Sequence, residues 1–264
     1  MQLFSPRRAA ASLAIMAGLA VALSGCASTS PTPVPTEDIV TTPSSTPTAS
    51  ATPTPTSPPL SEEERAAATT ALQAAVAAGD VTAASAAIAA GADLEAQGEH
   101  GRTPLVAATK ARMTELALLL LEAGADPNVK DDIQDSAFLY AGAEGFDEIL
   151  QGTLEHGADV TSTNRFGGTA LIPASEHGHI STVRILIAAG VPIDHMNDLG
   201  WTALHEAVIS STGAEHYLQT VRALLEAGAD PALPEGSGIT ARERAAASGK
   251  YDLVAILDEY LAAP

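Results

Sequence analysis

The sequence predicts an all-α solenoid of about six helix-turn-helix units joined by β-hairpin loops, because two short phrases recur along it. The first, Gly-Ala-Asp or a variant, begins at positions spaced by 33, 33, 33 and 38 residues: Gly91, Gly124, Gly157, Gly190 and Gly228. The second, Thr-Pro-Leu or a variant, follows each of those glycines: Thr103, Ser136, Thr169, Thr202 and Thr240. Such periodicity indicates stacked supersecondary units, none of which buries its apolar face alone. We therefore expect a binding function rather than a catalytic one.

The first helix of a unit is predicted to follow Thr103. The hydroxyl group of Thr103 is suited to accept a backbone N–H of the first helical turn. Pro104 fits the first helical position, where its missing N–H costs nothing. Leu105, Ala107 and Ala108 are expected to face inward, and small alanine side chains allow neighbouring units to approach closely.

The second helix of the same unit is predicted from its leucines. Leu116, Leu119 and Leu120 recur at helical spacing and are expected to bury one face of this helix. Gly124 is expected to end it, because glycine readily takes the left-handed conformation that follows a helix. In the fifth unit the extra residues fall around 210–216, in the predicted turn between two helices, where an insertion disturbs the stacking least.

The two phrases, in this order and at this period, resemble ankyrin repeats over residues 66–262. The chain departs from that pattern at several positions. Only the phrase at Thr202 keeps the family's His, at His205, and the third unit has Ser136 and Gln134 where Thr and Gly are usual. The terminal units are degenerate, as capping repeats are. The resemblance implies that partners are bound by the loop tips and by the exposed side of the first helices.

That implied surface predicts a set of partner-binding residues at and beside the loop tips. They are Arg102, Asp132, Ile133, Asp135, Arg165, Phe166, Asp198, Leu199 and Trp201. Phe166 and Trp201 matter most, because buried aromatic anchors dominate interface energetics. We expect the two rings to line an apolar strip with Ile133 and Leu199, rimmed by the three aspartates of the set. The alternative is that both rings simply pack against neighbouring loops.

The N-terminus predicts export. Arg7 and Arg8 precede an apolar stretch at 9–23, which is typical of a secretory signal peptide, here residues 1–25, and not of a membrane span. Leu-Ser-Gly-Cys at residues 23–26 resembles a bacterial lipobox, and Cys26 is the chain's one cysteine. The resemblance implies that Cys26 is acylated and anchors the protein to the outer face of the cell membrane, on the periplasmic or cell-surface side. The alternative is an ordinary cleaved signal peptide with a chance Cys.

The next segment, residues 26–60, is predicted to be a disordered tether behind the lipidated Cys26. It consists almost wholly of Thr, Ser, Pro and Ala. Such a composition has too little apolar surface to fold, and its prolines favour an extended polyproline II conformation. We expect it to space the repeat domain, residues 61–264, away from the membrane.

The charge of the chain excludes several classes of partner. The formal net charge is −19, from 32 acidic and 13 basic residues. A protein that binds nucleic acid needs a basic footprint, and an acidic domain does not dock on anionic lipid. We therefore expect contact with the membrane only through the lipid anchor. The expected partner of this monomer is another protein, and a basic surface on that partner is compatible with the charge.

The sequence offers no convincing catalytic or metal site. His177 and His179 flank Gly178 in a predicted turn between helices, and His205-Glu206 lacks the second His of a zinc-protease helix. The paired carboxylates Asp131-Asp132 are interpreted as a solvated turn. We therefore expect no catalytic residue, no metal and no cofactor.

The predicted function is protein binding outside the cytoplasm. One alternative is an accessory or immunity-type protein that shields or inhibits an envelope enzyme or toxin. A more remote alternative is an envelope hydrolase, which would require a dense cluster of perturbed carboxylates or His in a deep pocket.

Overall fold

The computed structural model describes residues 60–262, and within them the helices form six consecutive pairs. The helices are α1 (Glu62–Ala78), α2 (Val81–Ala89), α3 (Pro104–Lys110), α4 (Thr114–Glu122), α5 (Ala137–Glu144), α6 (Asp147–Glu155), α7 (Leu171–Glu176), α8 (Ile180–Ala188), α9 (Ala203–Ser210), α10 (Glu215–Glu226), α11 (Ala241–Ala247) and α12 (Tyr251–Leu261). A short 3₁₀ turn at Glu99–Gly101 lies in the loop before α3. The predicted all-α solenoid of six units is confirmed.

The predicted signal peptide (1–25), the lipidated Cys26 and the tether (26–60) lie outside the described residues, apart from Leu60 at the boundary. These assignments therefore remain predictions. Among residues 60–262, no helix combines the length and apolar character needed to cross a bilayer.

The helices begin where the hydroxyl residues of the second phrase predict. Thr103 Oγ1 accepts the backbone N–H of Val106 at 3.2 Å, with Pro104 as the first helical residue. The fourth unit differs. Its helix α7 begins at Leu171, and the Thr169 hydroxyl is buried without a hydrogen-bond partner. Pro173 lies one residue beyond the position such a hydroxyl caps and donates no N–H to the turn, so this helix starts late.

The helix ends and the inserted turn also fall where predicted. Gly124 follows α4 with φ of +97°, the left-handed conformation expected after a helix. In the fifth unit, α9 ends at Ser210 and α10 begins at Glu215. The inserted residues therefore lengthen only the turn and leave both helices free to stack.

The units stack through two layers of helices. The odd-numbered helices α1 to α11 contact one another in series, and so do the even-numbered helices α2 to α12. A continuous core of buried Leu, Ile, Val and Ala side chains runs between the layers. Small residues set the spacing: a Cβ atom added at Gly142 on α5 would lie 2.8 Å from the Cβ of Ala170, before α7. A larger side chain at this glycine would force two units apart.

The register of α4 corrects one prediction. Leu116 and Leu120 are fully buried, as expected, but Leu119 is only half-buried, and Leu121 is buried in its place. Residues four apart lie on one face of a helix, so Leu116 and Leu120 share the core-facing side and Leu119 lies on its flank. Ala107 on α3 is half-buried too, because its side of the helix borders solvent.

The connecting loops are tight turns rather than extended hairpins. Over the described range, pairing of the β type is limited to one isolated bridge, between Pro234 and Thr240. Each loop is closed by a backbone hydrogen bond between two residues that are four apart in sequence. In one of them the N–H of Asp131 donates to the carbonyl oxygen of Asp135 at 2.9 Å. Gln134, where Gly is usual, adopts a φ of +64°. The loop thus keeps its shape although this conformation is costly for a side chain with a Cβ.

Leu120→Ala is expected to lower the free energy of unfolding by about 2–5 kcal/mol, because it leaves a cavity in a fully packed core. Leu119→Ala is the matched control, since it removes the same atoms from the half-buried neighbouring position. Its loss should be clearly smaller. Urea unfolding followed by circular dichroism measures both, and equal losses would show that the register of α4 is wrong.

Candidate functional site

An open groove of about 620 Å³ runs along the first helices of the third to fifth units. Its walls are α5, α7 and α9 together with the loops that precede α7 and α9. Six of the nine predicted partner-binding residues line it: Asp135, Arg165, Phe166, Asp198, Leu199 and Trp201. Asp132 and Ile133 are exposed outside the groove, and Arg102 lines a separate groove of about 330 Å³ between the first two units.

Asparagine side chains shape the two loops of the groove. Asn197 Oδ1 accepts the backbone N–H groups of Leu199 and Trp201, both at 3.0 Å. In the preceding loop Asn164 makes the equivalent pair of bonds, to Phe166 and Gly168. A local bond of this kind lets a short polar side chain hold its own turn. Both loops therefore present their tip residues in the same orientation.

The two loops are also joined to each other. The backbone N–H of Asp198 donates to the carbonyl oxygen of Phe166 at 2.9 Å. The tip side chains consequently stand side by side, with Phe166 58% and Leu199 63% exposed, while Trp201 is half-buried. Phe166, Leu199 and Trp201 line the same groove, whereas Ile133, 47% exposed, lies outside it. The strip as a binding surface stays a prediction.

A buried ion network beside the groove corrects two predictions. Lys110 Nζ lies 2.7 Å from Asp131 Oδ2 and 2.8 Å from Asp135 Oδ2, and the side chains of Lys110, Asp131 and Asp135 are 9%, 1% and 13% exposed. The predicted solvated turn at Asp131 is therefore wrong, and Asp135 is occupied inside the protein rather than free on a rim. Burial opposes ionisation of Asp131, but hydrogen bonds from Lys110 and from the N–H groups of Asp135 and Ile133 lower its pKa overall.

The sequence analysis missed the partners in this network for a physical reason. Lys110 ends the first helix of the second unit, whereas both carboxylates belong to the loop that starts the third. The repeat period identifies equivalent positions in successive units. It does not indicate a contact between two different positions of neighbouring units.

Glu206, on α9, is the groove residue with the most unusual environment. It is only 7% exposed, and its Oε1 accepts one long hydrogen bond, 3.4 Å from Asn197 Nδ2. Burial raises the pKa of Glu206 to about 7, and the nearby Glu176 carboxylate adds to the rise, while the hydrogen bond from Asn197 and the charge of His177 oppose it. At neutral pH this carboxyl group is poised between its neutral and charged forms.

The repeat itself contained a signal for Glu206. One position of the first helix, four residues after its capping Thr or Ser, changes its chemistry from unit to unit: Ala107, Tyr140, Pro173, Glu206 and Arg244. Three of these, Tyr140, Pro173 and Glu206, line the groove. A position that varies in chemistry while its neighbours keep the repeat pattern is where such a fold carries individual function.

The His-Gly-His sequence forms the turn predicted for it. His177 follows α7, Gly178 has a φ of +67°, and His179 precedes α8. His177 Nδ1 lies 2.9 Å from the carbonyl oxygen of Ala143 and donates to it. Residues 60–262 contain no group of three or more His, Cys, Asp or Glu side chains placed to hold a metal ion.

Comparison with known proteins decides the family. The family model for ankyrin repeats, in three copies, matches residues 58–131 and 138–235. The chain belongs to the ankyrin-repeat family. Ankyrin repeats generally mediate protein–protein interaction, and the fold is typically a non-enzymatic module.

Two solved ankyrin structures are similar to this chain. An ankyrin repeat domain from Acinetobacter baumannii AYE is 49% identical, with a TM-score of 0.70, over 72% of this chain and 96% of that one. A second ankyrin repeat protein is 38% identical, with a TM-score of 0.70, over 73% of this chain and 98% of that one. A search of the curated proteins gave no significant match.

Glu206→Gln is expected to stabilise the protein at pH 8 by up to about 3 kcal/mol, because each unit of pKa shift corresponds to about 1.4 kcal/mol. The pKa of Glu206 is 4.5 ordinarily and about 7 in the folded protein. At a pH between these two values, Glu206 is ionised in the unfolded chain and protonated in the folded protein. Wild type therefore loses stability as pH rises through this window, and the variant does not. Urea unfolding at several pH values measures the difference.

The control for this experiment is Glu122→Gln, which removes the same charge from an exposed position on α4. Its stability difference from wild type should change little between pH 4.5 and 7. If Glu206→Gln behaved like Glu122→Gln, the carboxyl group of Glu206 would not be buried in solution.

Proposed function

We propose that this chain is a protein-binding module that uses the groove of its third to fifth units as its interface. The observation that carries the proposal is the exposed pair Phe166 and Leu199 beside the half-buried Trp201, held in register by the backbone hydrogen bond from Asp198 to Phe166. Large apolar side chains at the centre of a polar surface are the usual anatomy of an interface. The general role of ankyrin repeats in protein–protein interaction supports the same proposal.

The charged residues around the apolar side chains contribute to the specificity and rate of partner binding more than to its affinity. Arg165 extends its guanidinium over the Phe166 ring, 4.5 Å from its centroid, and Asp198 and Glu144 also line the groove. Charges at the rim of an interface chiefly steer association and reject wrong partners. Because the chain carries a net charge of −19, a partner with a basic surface associates fastest.

We further propose that a lipid on Cys26 holds the module on the outer face of the cell membrane. The support is the signal-peptide pattern of residues 1–25, the lipobox-like residues 23–26 and the absence of a second cysteine in the sequence. Two acyl chains suffice for stable anchoring without a spanning helix. The Thr/Ser/Pro-rich segment then lets the repeat domain reach a partner away from the bilayer.

Trp201→Ala and Phe166→Ala are each expected to weaken partner binding by about 2 kcal/mol or more, since truncation of an aromatic anchor costs this much. The measurement is a titration of each folded variant against a partner recovered from membrane extracts. Tyr251→Ala is the control, because Tyr251 is 74% exposed on α12, outside the groove. Wild-type affinity in both groove variants would place the interface elsewhere.

Cys26→Ala is expected to release the protein from membranes or to leave an unprocessed precursor, because the acylated side chain is lost. Ser28→Ala, two residues later, is the control and should leave anchoring intact. Membrane fractionation and gel migration report both outcomes. A Cys26 variant that fractionates and migrates like wild type would exclude lipid anchoring.

A further inference from the structure

The groove contains a buried carboxyl group with no cation of its own. Glu206 is 7% exposed, its Oε1 accepts only the long bond from Asn197, and no donor of residues 60–262 hydrogen-bonds its Oε2. No Lys or Arg of the same range pairs with it within 4.0 Å. A buried charge without a partner is strongly unfavourable. Within the described residues, ionised Glu206 is therefore stabilised only by the long hydrogen bond from Asn197 and by the charge of His177, and no Lys or Arg neutralises it.

The basic groups nearest to the groove are already committed. Lys110 is held between Asp131 and Asp135, at 2.7 and 2.8 Å. Arg165 lies over the Phe166 ring and 3.6 Å from Asp135. A Lys or Arg partner for Glu206 therefore has to come from another molecule.

The aromatic rings in and beside the groove also indicate a place for an external cation. Lys110 Nζ lies 4.9 Å from the Tyr140 centroid, and Arg165 covers Phe166 in the same way. Trp201 lines the groove as well, but no cation of the described residues lies over its ring. Tryptophan has the ring most attractive to a cation.

One side chain links the backbone of Trp201 to the carboxyl group of Glu206. Asn197 accepts the backbone N–H of Trp201 through Oδ1, at 3.0 Å, and donates to Glu206 through Nδ2. The Asn197 side chain therefore bridges Trp201, in the loop, and Glu206, on α9. Both residues line the same groove.

We propose that the groove binds a Lys or Arg side chain of the partner protein, whose charged group pairs with Glu206 beside the Trp201 ring. The proposal rests on the groove being the interface proposed above. One carboxyl group and one aromatic ring suit an ammonium or guanidinium group. A metal ion fits the site poorly, because no group of three or more ligands is assembled within residues 60–262.

Binding of this cation is expected to be linked to pH. The cation pairs with ionised Glu206, so affinity should rise as pH increases towards 7 and level off above it. The groups that face Glu206 are Glu176 and His177 from the α7 side and Asn197 from its loop. On the α11 side Glu235 and Arg244 face His205 instead, and on α10 the Tyr217 hydroxyl donates to the carbonyl of Glu176.

The test uses the full chain in detergent and libraries of short synthetic peptides. Each library carries Lys, Arg, Gln or Glu at one fixed position and is otherwise random. Peptides retained by the wild-type protein should be enriched in Lys or Arg at that position. The best peptide is then resynthesised and titrated by calorimetry against wild type, Glu206→Gln and Glu122→Gln at several pH values.

Glu206→Gln should weaken peptide binding about tenfold or more and flatten its rise towards pH 7, because a buried charge pair loses one partner. Glu122→Gln should match wild type. A pH dependence that persisted unchanged in Glu206→Gln would overturn the proposal.

The proposal is also overturned if no peptide is retained, if Gln or Glu is enriched at the fixed position, or if Glu206→Gln binds like wild type. Failure of the wider proposed function is recognised separately, from the aromatic variants. If Trp201→Ala and Phe166→Ala still weaken binding of the natural partner, the groove is the interface and only its cation preference is wrong. If neither does, the interface itself lies elsewhere.

Discussion

Burial between neighbouring units is the interaction on which the rest of the structure depends. A single helix pair cannot cover its own apolar face, so each unit is completed by the units before and after it. The odd-numbered helices pack in series and the even-numbered helices do the same, with fully buried residues such as Leu120 and Leu186 between them. Glycine and alanine at the contacts, as at Gly142 and Ala170, keep this spacing short. Every loop is thereby placed at a fixed distance from the next.

The groove is a consequence of that stacking. The loops before α7 and α9 are held internally by Asn164 and Asn197, and a backbone hydrogen bond from Asp198 to the carbonyl of Phe166 joins them. A rigid scaffold with side chains that vary on its loops and inner helices is a common way to carry recognition. The same frame in the third unit has a carboxylate, Asp131, in place of the asparagine, and the buried Lys110 neutralises it.

Electrostatics distinguishes the two buried acidic positions of this region. Asp131 has Lys110 within 2.7 Å and two backbone donors, so its charge is satisfied inside the protein and its pKa is lowered. Glu206 has one weak donor and no Lys or Arg partner among the described residues, so burial raises its pKa to about 7. A satisfied carboxylate stabilises the stack, whereas an unsatisfied one at a solvent-facing groove favours an incoming charge.

The sequence by itself determined the repeat architecture, the capping of the helices at Thr103, Ser136, Thr202 and Thr240, and the exposure of Phe166 and Leu199 at loop tips. These features depend on local spacing and on backbone preferences that each unit repeats. Only the tertiary structure decided that Leu120 rather than Leu119 is fully buried in the core, that Lys110 neutralises Asp131 and Asp135, and that Glu206 lies buried without a cation. The ion network in particular arises from contacts between different positions of neighbouring units. The repeat period shows where each unit lies in the sequence, but it does not show which side chains of neighbouring units contact one another.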